Sequence, residues 1–438
     1  MRSWLVPGTR RRRLLLAVAI YAVCTPVYFA FAPRDRITRH TSCNHHVLLA
    51  ESWLHGRLDL GHPPPAYTQN NDFASYQNHW YVSFPPFPAV VMLPVVAVAG
   101  TAEKVRDGQI WLWLAAIGPA VLFLALEKLR RAGHSERSER VNLLLTGVFA
   151  FGTVYFFTVE QGTVWFAAHV VAVALSALYL LFAVDAERPV LAGLMIVLAF
   201  ATRGPSIALG AAFFACEALR VSRLGPDGAG FWKGLDRRAL LRRLALFTAP
   251  ILPVLAVILW HNHARFGSVF EFGHTLLTIG WRPRIEKWGL FSYHYLAKNL
   301  GIMLTGLPWI AKVPSHLQIN VHGLALWVTT PIFLCLLWPR RTGWLWRGLA
   351  ISAGLIAGCD LLYQNTGWQQ FGYRFSNDYA VLLMAMLAVG GFRMGRRFWI
   401  AAAVGVLING FGAFTYDRAG YQRFYFIDHG QQVIYQPD

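Results

Sequence analysis

Along most of its length the chain turns apolar in stretches of about 17–20 residues, enough for a helix to cross a hydrocarbon core of about 30 Å. These stretches fall at 14–33, 109–127, 141–158, 165–184, 190–202, 205–220, 244–262, 319–338, 346–363, 379–392 and 398–415. Inside a bilayer every backbone N–H and C=O must find its partner within the chain, so each stretch reads as a helix. None alternates apolar and polar residues for long enough to suggest a barrel. Only 14% of the 438 residues are charged, where a soluble domain carries about a quarter. The expectation is an all-α polytopic membrane protein of about 11–12 transmembrane helices, with long extracytoplasmic loops that bear interfacial helices.

A net charge of +18 would suit a nucleic-acid binder if it formed one basic groove. Its distribution argues otherwise. If the eleven stretches each cross once, the basic connectors all fall on one side: the N-terminus with Arg10 to Arg13, then 128–140, 220–243, 339–347 and 393–397. The opposite side is close to neutral. That is the positive-inside bias, which puts the N-terminus in the cytoplasm of a multi-pass protein of the inner (plasma) membrane and leaves no nucleic-acid partner to invoke. Leu14 onward has no clear small-residue cleavage site, so the first apolar stretch reads as a retained helix. Cys24, Cys43, Cys216, Cys335 and Cys359 suggest neither a disulfide framework nor a CxxC metal motif.

The chain reads as one transmembrane domain over 1–438, with two large extracytoplasmic loops at 34–84 and 263–318. Residues 85–100 are apolar enough to cross, yet a further crossing would export Arg130, Arg131, Arg137 and Arg140. Pro85, Pro86, Pro88 and Pro94 also fall there, and a proline beyond the first turn costs a helix about 3 kcal/mol. A re-entrant or membrane-surface segment fits better. Spans 190–202 and 205–220 meet at Arg203-Gly204-Pro205, which leaves two crossings or one broken helix open. Residues 45–55 look amphipathic, and Trp281, Trp288 and Trp309 suit an aromatic belt at the membrane boundary.

Three residue classes on the loop side could carry chemistry. Histidines crowd 40–79, with His45 and His46 beside Cys43; the atoms are compatible with a divalent metal, but no HxxxH-type zinc spacing is present. Carboxylates form the second class. Asp72 lies in the polar run Gln69-Asn70-Asn71-Asp72, Glu51 in the apolar part of the 45–55 helix, and Asp35 just past the first span. Any of them could act as a base if it lies within hydrogen-bond reach of the proton it takes. The third class is arginine at span ends: Arg203, Arg265 and Arg374, the last within Phe371-Gly372-Tyr373-Arg374-Phe375. A guanidinium fork at that depth matches a lipid-linked phosphate bidentately, and it equally suits snorkelling to headgroups.

The stretches CNHHVLLAESWLHGRLDL (43–60) and YQNHWYVSFPPFPAVVMLP (76–94) resemble the first outer loop and following helix of bacterial GT-C glycosyltransferases. ATRGPS (201–206), HARFGSVFEFGHTLL (263–277) and GWQQFGYRFSNDY (367–379) are similar to further stretches of those proteins. The likeness is distant, to the protein O-mannosyltransferase and lipid A aminoarabinose-transferase families. It implies an enzyme that moves a sugar from a polyprenyl-phosphate donor to a glycan, lipid or protein acceptor at the extracytoplasmic face, for the cell envelope. Asp72, Glu51 and Asp35 would be the candidate bases, with Arg374, Tyr373, Arg203, Arg265, His45 and His46 binding substrate. The chain departs from the family where Cys43-Asn44 occupies the neighbourhood of an expected acid. A transporter or flippase of lipid-linked or small polar substrates, or a catalytically inactive relative, remains the alternative.

Overall fold

A computed structural model describes residues 8–223, 234–310 and 316–426. The connector 220–243, the loop 263–318 and the tail from 416 therefore lie partly outside the described residues. Five helices are long and apolar enough to cross a membrane: α1 (Arg10–Phe31), α4 (Asp107–Arg131), α7 (Val164–Ala186), α10 (Arg237–Phe266) and α14 (Arg396–Thr415). Between them run further helices, among them α2 (His45–Leu54), α3 (Phe87–Ala99), α5 (Glu139–Gly152), α6 (Tyr155–Val159), α8 (Pro189–Arg203), α9 (Ala211–Val221), α11 (Leu296–Thr305), α12 (Trp344–Leu361) and α13 (Asn377–Val389).

Helix α13 is apolar beyond its first turn and is buried at almost every position. A helix that is hydrophobic all round belongs in the centre of a bundle or in lipid; here α7 and α12 pack against it. Helices α1 and α10 leave most of their apolar surface exposed, as Val18, Leu252, Val257 and Trp260 illustrate. In water such surface would be costly, and a hydrocarbon surround removes the cost. Where α8 approaches α10, Gly193 is needed because a Cβ there would run into the Phe247 carbonyl.

The basic connectors gather at one end of the bundle. Arg12 is paired with Glu139 at 2.6 Å, Lys128 with Glu187 at 2.6 Å and Arg341 with Glu136 at 2.6 Å. Arg137 Nη2 donates to the Phe392 carbonyl (2.7 Å), and both His134 and Arg220 reach Asp185. The opposite end collects the long loops, which bring two small sheets. One is the antiparallel hairpin β1 (Phe73–Tyr76) with β2 (His79–Val82). In the other, β3 (Trp309–Ile310) pairs antiparallel with β4 (Leu317–Asn320), and β4 pairs in parallel with β5 (Tyr425–Phe426).

The structure gives the local course of two segments whose crossings the sequence left open, and at a third it departs from the sequence reading. Helix α3 has both ends among the loop segments: it follows the β1–β2 hairpin, and just beyond it the Ala102 amide donates to Glu51 on α2 (3.0 Å). Helices α8 and α9 are two separate helices, α8 ending at Arg203 near the loops and α9 bringing Arg220 back to Asp185. The turn between them opens at Gly204, with φ +93°. The departure is the apolar stretch 319–338, which is not one helix. It begins as β4, continues as the single turn Leu326–Thr329, and becomes a tight three-residue-per-turn coil over Pro331–Leu337. Pro331 and the β-branched pair Thr329-Thr330 interrupt it, because a proline in a helix interior removes one hydrogen bond and clashes with the preceding turn.

Candidate functional site

The loop end brings Asp72, Arg374 and Arg203 into one electrostatic neighbourhood. Asp72 closes a turn in which Gln69, Asn70 and Asp72 all have positive φ (52°, 53° and 61°), a region that Asn and Asp tolerate better than most residues. Two side chains hold this turn. His45 Nε2 donates to the Asn71 carbonyl (2.8 Å) while its ring stacks on Phe73 at 4.2 Å. Trp165, in the first turn of α7, donates its indole N–H to Asp72 Oδ2 (2.8 Å). Burial raises the Asp72 carboxyl above its ordinary value, opposed by the Trp165 hydrogen bond and then by the Arg374 charge. His46 is buried between Phe84 and Trp111. Burial pulls His45 down to about 4 and His46 to about 3, so both are neutral near pH 7.

Arg374 occupies the tight turn Arg374–Ser376 that leads into α13. The residue is only 5% exposed. Nη1 donates to the Gln369 carbonyl (3.0 Å), and the guanidinium lies over the Phe166 ring at 4.7 Å. Its Nε is buried without a hydrogen-bond partner, and among the described residues no carboxylate forms an ion pair with it. Burial is the main cause that brings its pKa down to about 10, still a cation at neutral pH.

Arg203 is differently placed. From the C-terminal end of α8 it clamps Asp378 bidentately, Nη2 to Oδ2 at 2.9 Å and Nε to Oδ1 at 3.1 Å. His169 of α7 donates to the same Oδ1 at 3.1 Å. Phe375 separates the two arginines, with Arg203 at 5.4 Å and Arg374 at 5.8 Å from its ring centroid. Asp360, at the end of α12, is buried beside this group with one carboxyl oxygen unpartnered. Tyr373 is fully buried against Ile302 and Phe375, and its hydroxyl has no partner.

Three candidates stand apart from this cluster. Glu51 caps the Ala102 amide. Asp35 is largely exposed beside Arg36, 3.9 Å away. Arg265 is committed to the Val82 carbonyl (2.8 Å) and Asn262 Oδ1 (3.0 Å), which ties α10 to the β2 strand. Among the described residues no three His, Cys, Asp or Glu side chains are grouped to hold a metal ion. Sequence reading missed Trp165, Phe166, His169 and Asp360. His169 and Asp360 were visible as ionisable residues inside apolar stretches, which are costly unless they have a partner or a task. Nothing in sequence separates Trp165 from the chain's other tryptophans.

Chemically, a carboxylate raised by burial lies within electrostatic reach of a buried guanidinium that no carboxylate among the described residues pairs with. Such a pair can take a proton and hold an anion. No protein-family model matches the chain, and no curated protein matches it. Two solved structures of the oligosaccharyltransferase of Archaeoglobus fulgidus are similar in fold. The apo form has a TM-score of 0.52 and 12% identity over 91% of this chain and 55% of that one. The form tethered by a disulfide bond to an acceptor peptide containing the NVT sequon has a TM-score of 0.54 and 12% identity, over 94% and 55%. The chain thus spans about half the length of these neighbours. What is shared at that identity is the fold: an all-α polytopic architecture similar to that of the oligosaccharyltransferase.

Proposed function

We propose that the chain is a membrane glycosyltransferase that moves a sugar from a polyprenyl-phosphate donor to an acceptor hydroxyl at its loop end. The reading rests above all on Arg374, a buried guanidinium with an unpartnered Nε and, among the described residues, no carboxylate paired with it, in electrostatic reach of Asp72. An anion fits there because burial without a counter-charge is expensive and a phosphate would supply one. The likeness in fold to an oligosaccharyltransferase supports the same class of reaction.

In the proposed step an acceptor O–H attacks the anomeric carbon as Asp72 takes its proton. The bond from that carbon to the phosphate oxygen breaks, and the electron pair leaves with the polyprenyl phosphate. Arg374 stabilises the charge that develops on the departing oxygens, an interaction preorganised by Gln369, Phe166 and Phe375. Arg203, already committed to Asp378, orients the turn that carries Arg374. The glycan, lipid or protein nature of the acceptor belongs to this proposal, as do an extracytoplasmic loop end, a cytoplasmic N-terminus, and a re-entrant or interfacial position for α3. Asp72 here takes the place of the acid missing at Cys43-Asn44.

The test is donor turnover by purified protein supplied with polyprenyl-phosphate sugars. Arg374→Ala is expected to lower kcat/KM by about 100-fold or more, as removal of one preorganised oxyanion contact does. Asp72→Asn should lower kcat by about 100-fold, the low end for general-base catalysis. Full turnover in Asp72→Asn would remove the base assignment. Absence of turnover in the wild type would overturn the transferase reading and leave the transporter or flippase.

A further inference from the structure

A concave surface lies behind the Arg374 loop, where α11 ends and the β3–β4 pair begins. It is a cleft of about 350 Å³ lined by Ile302, Thr305, Leu307, Trp309, Asn320 and His322, with Gly306 and Gly323 in its wall. That volume falls within the range of about 300–1,000 Å³ usual for small-ligand sites. The composition narrows the ligand. Among the described residues no charged side chain lines the cleft, so its described lining offers no ion-pair partner for a phosphate, a carboxylate or a cation. An indole, a hydroxyl, an amide and an imidazole remain, over an aliphatic wall.

Trp309 is half-buried, and its ring is fixed edge-on by Phe426 of β5 at 5.4 Å and 87°. Thr305 Oγ1 donates to Gly301 O (2.6 Å), which leaves the hydroxyl oxygen able to accept. Asn320 Oδ1 accepts from the His322 amide (2.9 Å), which sets the orientation of that side chain. The wall is close-packed at Gly323: its φ is +98°, and a Cβ would press on Gln370 and Gly372. Through this wall the cleft is joined to the candidate site. Gln370 Nε2 donates to the His322 carbonyl (2.7 Å), and Gln370 Oε1 accepts from the Arg374 amide (2.9 Å).

We propose that this cleft is a carbohydrate subsite, in which a neutral pyranose of the acceptor lies against Trp309 and is hydrogen-bonded by Thr305 and Asn320. A sugar ring has an apolar C–H face for the indole and a rim of hydroxyls for neutral donors and acceptors, which is what this lining offers. The proposal rests on the transferase reading for the word acceptor. Saccharide binding itself stands on the cleft alone.

Saturation-transfer NMR on the full chain in lipid nanodiscs tests it directly, using maltose and chitobiose as probes. Transfer to the sugar ring protons is expected, reduced at least fivefold in Trp309→Ala and recovered in Trp309→Tyr, which keeps an aromatic face. Arg374→Ala should leave the signal in place, so a failed transferase reading and a failed subsite give different results. Dodecyl maltoside, added below its micellar concentration, presents the same sugar on an alkyl chain. A Trp309-dependent signal stronger for it than for maltose marks a lipid-borne acceptor, and the reverse marks a soluble glycan. No transfer that depends on Trp309 with any of the three probes overturns the proposal.

Discussion

Asp72 and Arg374 are close enough to influence one another electrostatically, yet they form no ion pair, and in the proposed reaction that separation would leave each free for its task. An acid locked onto the arginine would be a poor base, and the arginine a poor anion site. The residue that keeps Asp72 in place is Trp165, whose indole N–H donates to Oδ2. A donor to the ionised form favours ionisation, so this bond works against the burial that raises the carboxyl. Removing it in Trp165→Phe pushes the Asp72 pKa further up. Hydrogen bonds to charged groups are worth about 1.5–3 kcal/mol, and one pKa unit is about 1.4 kcal/mol. A base works only when ionised, so the acidic limb of the kcat/KM profile should move to higher pH by about one unit. A pH–rate profile of the variant checks this. A uniform fall in rate with an unmoved limb would make Trp165 a packing residue only.

At the scale of elements, the site depends on α8 delivering Arg203 to the first turn of α13. Asp378 is fully buried, Arg203 is partly buried, and α13 is packed on almost every side, so the pair anchors the start of the central helix. A carboxylate in a first helical turn also gains from the helix dipole. Removing one partner leaves the other buried and uncompensated. Arg203→Leu should therefore destabilise the protein by about 3–5 kcal/mol, whereas Arg203→Leu with Asp378→Leu should cost clearly less than the sum of the single changes. Thermal unfolding in detergent measures the cycle; strict additivity would mean that the pair carries no coupling. Much of this level was legible in the sequence. Apolar stretch lengths marked the helices, and Gly204-Pro205 marked the turn after α8. The pairing itself was not legible, because Arg203 and Asp378 meet only through tertiary packing. Residues 319–338 misled for a related reason: their hydropathy suits a span, but hydropathy does not register that Pro331 and paired threonines break the backbone into short pieces. Arg265 looked like Arg374 in sequence, since both stand near a span end. Only the structure separates a guanidinium used on the Val82 carbonyl from one with an unused Nε.

For the whole molecule, the decisive property is that its two ends differ. Residues from the N-terminal turn of α1, 128–140, 185–188, 217–223, 339–341 and 390–393 interlock through arginine and lysine pairs at one end. The hairpin, the second sheet, the Arg374 turn and the cleft all lie at the other. Helix α1 begins at the basic end, while Tyr416 and Tyr425, beyond α14, lie at the loop end; the described chain thus starts and finishes on opposite sides. Placing Arg or Lys at the centre of a bilayer costs about 2.5–3.5 kcal/mol per residue on insertion scales, so an end this rich in them stays where translation begins. The loop end should then face away from the cytoplasm. Cysteine accessibility in intact cells tests this, after Cys216, Cys335 and Cys359, the half-buried native thiols, are changed to alanine. A membrane-impermeant maleimide should label His62→Cys, on the exposed part of the 34–84 loop, before lysis. Arg393→Cys, exposed at the basic end, should react only once the membrane is opened. The opposite pattern would invert the topology and set Asp72 and Arg374 against cytoplasmic substrates. Labelling of both before lysis would mean that the bundle does not separate two compartments in the way its charge asymmetry requires.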